Sequence, residues 1–385
     1  MYRVLEVNVD DTGYGGVFSL VKGVIAQKQQ GECIDIAAIE KFENQSNIDD
    51  LNKYGCKVNY IGFTGNKIFK QFVCFNNLRK LIKKEKYDCV HIHADVANKL
   101  LVSGLASKTA GVKKIILHSH AAGVDGNHRK LKVFMHKGCR GLLKAIGTDY
   151  VACSDLAAHW MFPGVPEKYI TIIKNGVDLD RFRYNEDSRQ EVRRELGLKN
   201  EKLIGHVGRF AYQKNHEYLI DIFARLCGTR DDVRLLLVGE GELEQNIKDK
   251  VNNLGLQDKV IFYGTTDAPQ KIFSAIDIFA LPSNFEGLPI VGVEAQASGL
   301  PVVFSDRITR EAAILDNVRY IAIDDAHISE WCSSIEEFLT IQRKDTYDDM
   351  KRAGFGIQDT RNSFYKLYNN LFYLIFRYNT LYIFK

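Results

Sequence analysis

The chain has 385 residues, is 45% hydrophobic, and carries 52 Lys and Arg against 48 Asp and Glu, a net charge of +4. That apolar content supports a large core in two domains or one large one, and the net charge is too small to point to a nucleic-acid partner. Eight cysteines form no C-x-x-C pair and several fall inside apolar runs, which reads as reduced core thiols in a cytosolic protein.

The charge is unevenly spread. Residues 1–165 hold 23 basic and 15 acidic side chains, a local net of +8. An anionic membrane surface fits that first half, and a merely solvated basic face fits it equally. The opening residues already read as a strand, with no charged and apolar leader expected ahead of them. No apolar run reaches the roughly 20 residues of a bilayer helix.

Short β-branched runs alternate with longer amphipathic ones, the pattern of parallel sheets with helices on both faces. Strands are expected over 3–9, 34–39, 58–63, 89–93, 114–118 and 150–153. A helix is expected over 67–86, with Ile68, Phe72, Phe75, Leu78 and Ile82 on its apolar side and Lys70, Arg79, Lys80, Lys83 and Lys84 on its wet side. The pattern breaks between Pro163 and Pro166 and resumes at Thr171, which reads as an interdomain crossing. A second series follows at 203–207, 233–238, 260–263, 278–281 and 302–304. The expected organisation is α/β: two Rossmann-like, doubly wound domains at 1–170 and 171–355, with a helical tail at 356–385 packing back on the first. Ligands of such sheets bind at the carboxyl ends of the strands, so two facing domains make one cleft. The aromatic stretch 371–385 can dock on the first domain or dip into a membrane surface, and docking is the simpler reading.

Several strand ends carry residues suited to chemistry. After the first strand, Gly13, Gly15 and Gly16 could bring backbone amides to a phosphate, but Phe18 takes the third glycine's place in a G-x-G-x-x-G pattern. His91, His93, His118 and His120 cluster at two strand ends. One imidazole could reach the cleft as a hydrogen-bond donor; a zinc site is the rival, without a convincing fourth ligand. Gly208 and Arg209 follow the strand at 203–207, with Lys214 near, and a guanidinium and an ammonium together match a diphosphate. Asn215 is the expected N-cap of the helix beyond. Gly239 and Gly241 mark another strand end that could border a base or ribose, with a plain turn the simpler reading. From Pro282 to Pro301 a turn leads into a helix ended by Gly299, with Pro289 suited to its first turn. Glu286 and Glu294 frame that segment. On one helix they would stand about 12 Å apart. Paired glycosidase carboxylates need about 5 to 9.5 Å, so the two read as contacts along one elongated ligand.

Taken in order, the glycine turn, His118-Ser119-His120, Asn175 to Asp178, Gly208 and Arg209 with Lys214, Val238 to Gly241, and Glu286 and Glu294 with seven residues between them resemble the family 4 glycosyltransferases of GT-B architecture. The likeness covers nearly the whole chain and is most similar in wording to bacterial exopolysaccharide and capsule enzymes. It implies transfer of a hexose-type sugar from a nucleotide-diphosphate sugar to an acceptor hydroxyl, with retention and with no metal or cofactor. The first domain would then bind the acceptor and the second the donor. By position, Arg209 and Lys214 would hold the diphosphate beside Gly208, and Glu294 the ribose. Glu286 would address the sugar hydroxyls with the backbone from Gly287 through Leu288 to Pro289, His118 or His120 the sugar from the opposite domain, and Gly15 and Gly16 would complete the phosphate cradle. The implied acceptor is a lipid-linked glycan or growing surface polysaccharide, at the inner membrane face of a cytoplasmic, peripheral protein. Asn284 and Phe285 depart from the family pattern, where a more apolar pair is expected. Two other readings use the same residues: an epimerase or hydrolase consuming donor without acceptor, and a noncatalytic subunit serving a partner enzyme.

Overall fold

The computed structural model describes residues 2–12, 16–28, 31–65 and 67–369. Strands β1 (Arg3–Val7), β2 (Cys33–Ala38), β3 (Val58–Tyr60), β4 (Cys89–Ala94), β5 (Lys114–Ser119), β6 (Asp149–Ala152) and β7 (Ile170–Ile172) form one sheet in the order β3-β2-β1-β4-β5-β6-β7. A second sheet holds β8 (Lys202–Val207), β9 (Val233–Val238), β10 (Val260–Gly264), β11 (Ile278–Leu281), β12 (Val302–Ser305) and β13 (Val318–Ile321), in the order β10-β9-β8-β11-β12-β13. Every neighbouring pair is parallel. The fold is the GT-B arrangement of two doubly wound sheets.

Strands buried on both faces are continuous apolar runs: Leu235, Leu236 and Leu237 are each fully buried. Helices cover each face of each sheet and build four hydrophobic clusters. One cluster crosses the junction, where Ala152, Cys153 and Ala157 pack with Leu288 and Val293. Strand order reverses between β1 and β4 in the first sheet and between β8 and β11 in the second. Ligands bind at such switch points. The segments leaving these strands carry Gly16, His93, Gly208 to Lys214, and Ser283 to Pro289.

Three local features differ from expectation. The edge strand β13 is absent from the sequence reading, and β7 carries the first sheet two residues past 170. The helix Lys67–Glu85 buries Cys74, Leu78 and Ile82, a stripe with spacing four, which turns Phe72 outward to 64% exposure. The helix Ile357–Asn369 returns to the first sheet, where Ile357, Phe364, Leu367 and Tyr368 join the core around Val21, Ile25 and Ile116. The aromatic stretch 371–385 lies outside the described residues.

Candidate functional site

At the end of β8 the Gly208 N–H donates to the Val238 carbonyl (2.9 Å), holding the β8 and β9 loops together. Gly239 has φ +136°, and a Cβ there would stand 2.3 Å from the Gly208 carbonyl oxygen; one on Gly241 would stand 2.5 Å from that of Phe210. These glycines therefore serve backbone packing between two strand-end loops. Lys214 lies in a short turn (Tyr212–Lys214), and its stem passes over Gly208, within 2.9 Å of where a Cβ would be. Asn215 adopts the left-handed region (φ 53°, ψ 47°), and its side chain does not cap the helix His216–Cys227, contrary to the expected N-cap. Its use there is conformational: Asn tolerates left-handed backbone better than most residues.

The loop after β11 brings the first acid to this point. The helix begins only at Ile290 (Ile290–Ala297), with Pro289 as the residue before it, so Glu286 sits in the loop and a single-helix spacing of the two glutamates does not apply. Glu286 is 5% exposed. Its Oε1 accepts from Lys214 Nζ (2.8 Å) and Ser283 Oγ (2.9 Å), and its Oε2 from Gln213 Nε2 (2.9 Å). Glu294 is 9% exposed, and its carboxylate makes no hydrogen bond or ion pair among the described residues. Burial pushes its pKa up to about 7, against the attraction of Arg181 and Lys214.

The first domain closes on the same loop. Ser154 Oγ donates to the Gly287 carbonyl (2.7 Å), and Asn175 Nδ2, just past the crossing between the domains, donates to that of Leu288 (3.1 Å). A Cβ on Gly287 would stand 2.4 Å from the His120 carbonyl oxygen and 2.9 Å from Cys153 Sγ. Pro289 has no N–H, so Gly287 and Leu288 supply this turn's backbone donors. The unusual pair is also placed: the Phe285 ring lies against Gly123, and Asn284 Nδ2 donates to the Tyr212 carbonyl (2.7 Å). Gly16, at the start of the helix Gly16–Ala26, packs on Ile290, while Gly15 lies outside the described residues.

Arg209 reaches across to Asp125 Oδ2 (2.5 Å), and the Gln213 N–H donates to Asp125 Oδ1 (3.2 Å). Asp125 went unnoticed in the sequence, although it is the only acid between Asp95 and Asp149 and stands between Gly123 and Gly126. Both cations of the expected diphosphate clamp are thus held by carboxylates, one from each domain.

The histidines form a buried array. His118 is fully buried, with Nδ1 3.0 Å from His91 Nε2 and Nε2 without a partner. His120 is partly exposed, its Nε2 2.8 Å from His93 Nδ1. Of the two expected ligand contacts, His120 is the partly exposed one, and His118 is fully buried. His93 Nε2 is 2.6 Å from Glu6 Oε2, and Tyr368 donates to Glu6 Oε1. Burial pushes the pKa of His93 down to about 4 and those of His118 and His120 well below the usual range. Nitrogens of His91, His93 and His118 lie within 4.8 Å of one another, a spacing a metal ion could use, but the contacts present already pair these rings by hydrogen bonds. Glu6, His93 and Tyr368 had no signal in the sequence beyond the recurrence of His at strand ends.

Residues 188–355 match the family model described as glycosyl transferases group 1, and residues 46–181 match that described as glycosyltransferase family 4. The protein named glycosyltransferase EpsF of Bacillus subtilis (strain 168) is 30% identical over 334 residues, spanning 83% of this chain and 84% of that one. The chain belongs to glycosyltransferase family 4. This family 4 glycosyltransferase is also 29% identical over 256 residues to the UDP-Gal:α-D-GlcNAc-diphosphoundecaprenol α-1,3-galactosyltransferase of Escherichia coli, covering 62% of this chain and 63% of that enzyme. In fold the transferase matches Anabaena HepE, solved with UDP-glucose, at TM-score 0.75 and 18% identity, over 94% of this chain and 98% of that one. Sucrose-phosphate synthase of Thermosynechococcus elongatus matches at TM-score 0.77 and 18% identity, over 97% and 100%. Among the described residues of the transferase, no helix is long and apolar enough to cross a membrane.

Proposed function

We propose that this glycosyltransferase moves a hexose from a uridine-diphosphate sugar to an acceptor hydroxyl on a lipid-linked or growing surface glycan, with retention and without a metal. The observation that carries the donor site is Glu294: a buried carboxylate lacking any partner among the described residues, within electrostatic reach of Lys214. A carboxylate so placed calls for hydroxyl donors, and ribose supplies two. Arg209 and Lys214 then meet the diphosphate, displacing Asp125 from Arg209. Glu286 accepts from sugar hydroxyls, with the Gly287 and Leu288 amides beside it, and His120 faces the sugar from the first domain. The uridine and hexose choice draws on the galactosyltransferase and on the UDP-glucose complex of HepE, and the lipid-linked acceptor on the former.

No protein nucleophile is required. The two cations and the positive start of the helix Ile290–Ala297 offset charge on the departing diphosphate. The acceptor hydroxyl attacks from the face the phosphate leaves and passes its proton to that phosphate. Nucleotide release from UDP-glucose, UDP-galactose and UDP-N-acetylglucosamine, with and without an undecaprenyl-diphosphate-linked sugar, tests the reading. Acceptor-dependent release and an α-linked product from an α-linked donor support it; release without acceptor favours a hydrolase, and an inverted product removes retention.

Peripheral attachment has its own observation. The helix Arg129–Arg140 exposes Leu131, Phe134 (76%) and Met135 beside Lys130, Lys132 and Lys137. An apolar strip edged by lysines suits an anionic bilayer surface. Flotation with phosphatidylglycerol vesicles should show binding that weakens with salt and is lost in Phe134→Glu; equal binding to phosphatidylcholine would count against it.

A further inference from the structure

Two hydrogen-bonded files of histidine run from one buried carboxylate toward the cleft. Glu6, 1% exposed on β1, accepts from Tyr368 at Oε1 and lies 2.6 Å from His93 Nε2 and 3.1 Å from His91 Nδ1 at Oε2. A carboxylate accepts only, so His93 Nε2 carries the hydrogen; His91 Nδ1 also lies 3.2 Å from the Tyr368 hydroxyl, whose own hydrogen goes to Glu6, so this nitrogen too faces only acceptors and carries one. A neutral imidazole has one N–H, which leaves His93 Nδ1 and His91 Nε2 as acceptors. Their next neighbours must donate: His120 through Nε2 at 2.8 Å, and His118 through Nδ1 at 3.0 Å. The second nitrogen of each outer ring is then a bare lone pair. In His118 that atom is the buried, unpartnered Nε2; in the partly exposed His120 it is Nδ1, which has no partner among the described residues.

We infer that Glu6 is a positioning residue that fixes the protons of all four histidines, so that His120 meets the donor as a hydrogen-bond acceptor and selects a sugar that presents a hydroxyl there. This rests on the donor reading above. It reverses the expectation of a donating imidazole, and it acts from a residue buried two side chains behind the ligand. The array also ties the cleft to the returning helix Ile357–Asn369 through Tyr368, whose hydroxyl helps keep Glu6 ionised and accepting.

The tautomers can be read directly by long-range proton–nitrogen correlation spectra of histidine-labelled protein at neutral pH. The expected pattern is hydrogen on Nε2 of His93 and His120 and on Nδ1 of His91 and His118. Glu6→Gln, its carbonyl kept on the Tyr368 hydroxyl, turns its NH2 toward the two imidazoles and should move all four hydrogens to the other nitrogen; Tyr368→Phe keeps the carboxylate and should leave them in place. Titrations with UDP, UDP-glucose and UDP-galactose form the second arm. Glu6→Gln should weaken the sugar nucleotide that wild type prefers by about tenfold, since an acceptor has become a donor, while UDP binding stays unchanged. Hydrogen on His120 Nδ1 in wild type, an unmoved pattern in Glu6→Gln, a moved one in Tyr368→Phe, stoichiometric zinc in the purified protein, or equal weakening of UDP and UDP-sugar would each overturn the inference. If wild type binds none of the three nucleotides, the donor reading fails while the spectra still decide the tautomers.

Discussion

Burial keeps Glu294 protonated into the neutral range, and that has a sign. Its folded pKa, about 7, lies above the ordinary glutamate value, so below pH 4.5 both states are protonated and it costs nothing. As pH rises from there the unfolded chain loses the proton first, and stability falls until about pH 7, by about 3 kcal/mol in full. Glu294→Gln should therefore unfold with wild type at pH 4.5 but at higher temperature at pH 8. The variant should also lose UDP affinity, because ribose hydroxyls favour the ionised form; wild-type affinity should rise with pH through 7 and the variant's should not. Thermal melts and calorimetry at the two pH values check both. Asp125 gives a second residue-scale outcome. It holds the half-exposed Arg209 where the diphosphate is proposed to sit. An exposed pair is worth up to about 1 kcal/mol, so Asp125→Asn should tighten UDP binding by no more than about fivefold and lower the stability of the free protein by no more than about 1 kcal/mol. Weaker binding in that variant would make Asp125 a ligand support instead of a competitor.

The loop from Ser283 to Pro289 is the element on which the two domains meet. Gly287 has no room for a methyl group, with the His120 carbonyl and Cys153 against it. Gly287→Ala should hold the cleft apart, raising the radius of gyration by small-angle scattering and lowering kcat/KM at least tenfold; an unchanged radius with full activity would show that the contact is dispensable. What the sequence made legible follows from burial. Strands with both faces covered, such as Val233–Val238, are apolar runs, broken there only by the half-buried Arg234, and their positions match the pattern. The edge strand β13 was hidden because three of its four residues are only half-buried and Arg319 turns out to Glu337. The motif residues Arg209, Lys214, Glu286 and Glu294 stood out in the chain, but their pairings did not. Lys214 meets Glu286 across 72 positions and Arg209 meets Asp125 across 84, contacts that loop geometry and domain closure create. Phe72 misled because it shares helical spacing with Phe75 and Leu78 while the buried stripe runs through Cys74.

At the scale of the molecule, two switch-point crevices face each other and are closed by side chains from both domains. Carboxylates occupy both cations of the clamp, so donor binding has to exchange at least the Arg209 to Asp125 contact, which couples nucleotide entry to the domain interface. The excess positive charge of residues 1–165 and the exposed apolar strip on Arg129–Arg140 both belong to the first domain. The returning helix Ile357–Asn369 joins the ends of the described chain by packing on the first sheet, so the histidine array and the second domain share a covalent path. The most direct test of this account is calorimetric titration of UDP into the purified protein with a chelator present. The account predicts saturable one-to-one binding unaffected by the chelator, weakened roughly 30-fold or more by Arg209→Ala, the loss of about 2 kcal/mol expected when one diphosphate donor is removed. Binding that needs a divalent ion, or an Arg209→Ala variant that binds UDP like wild type, would contradict it.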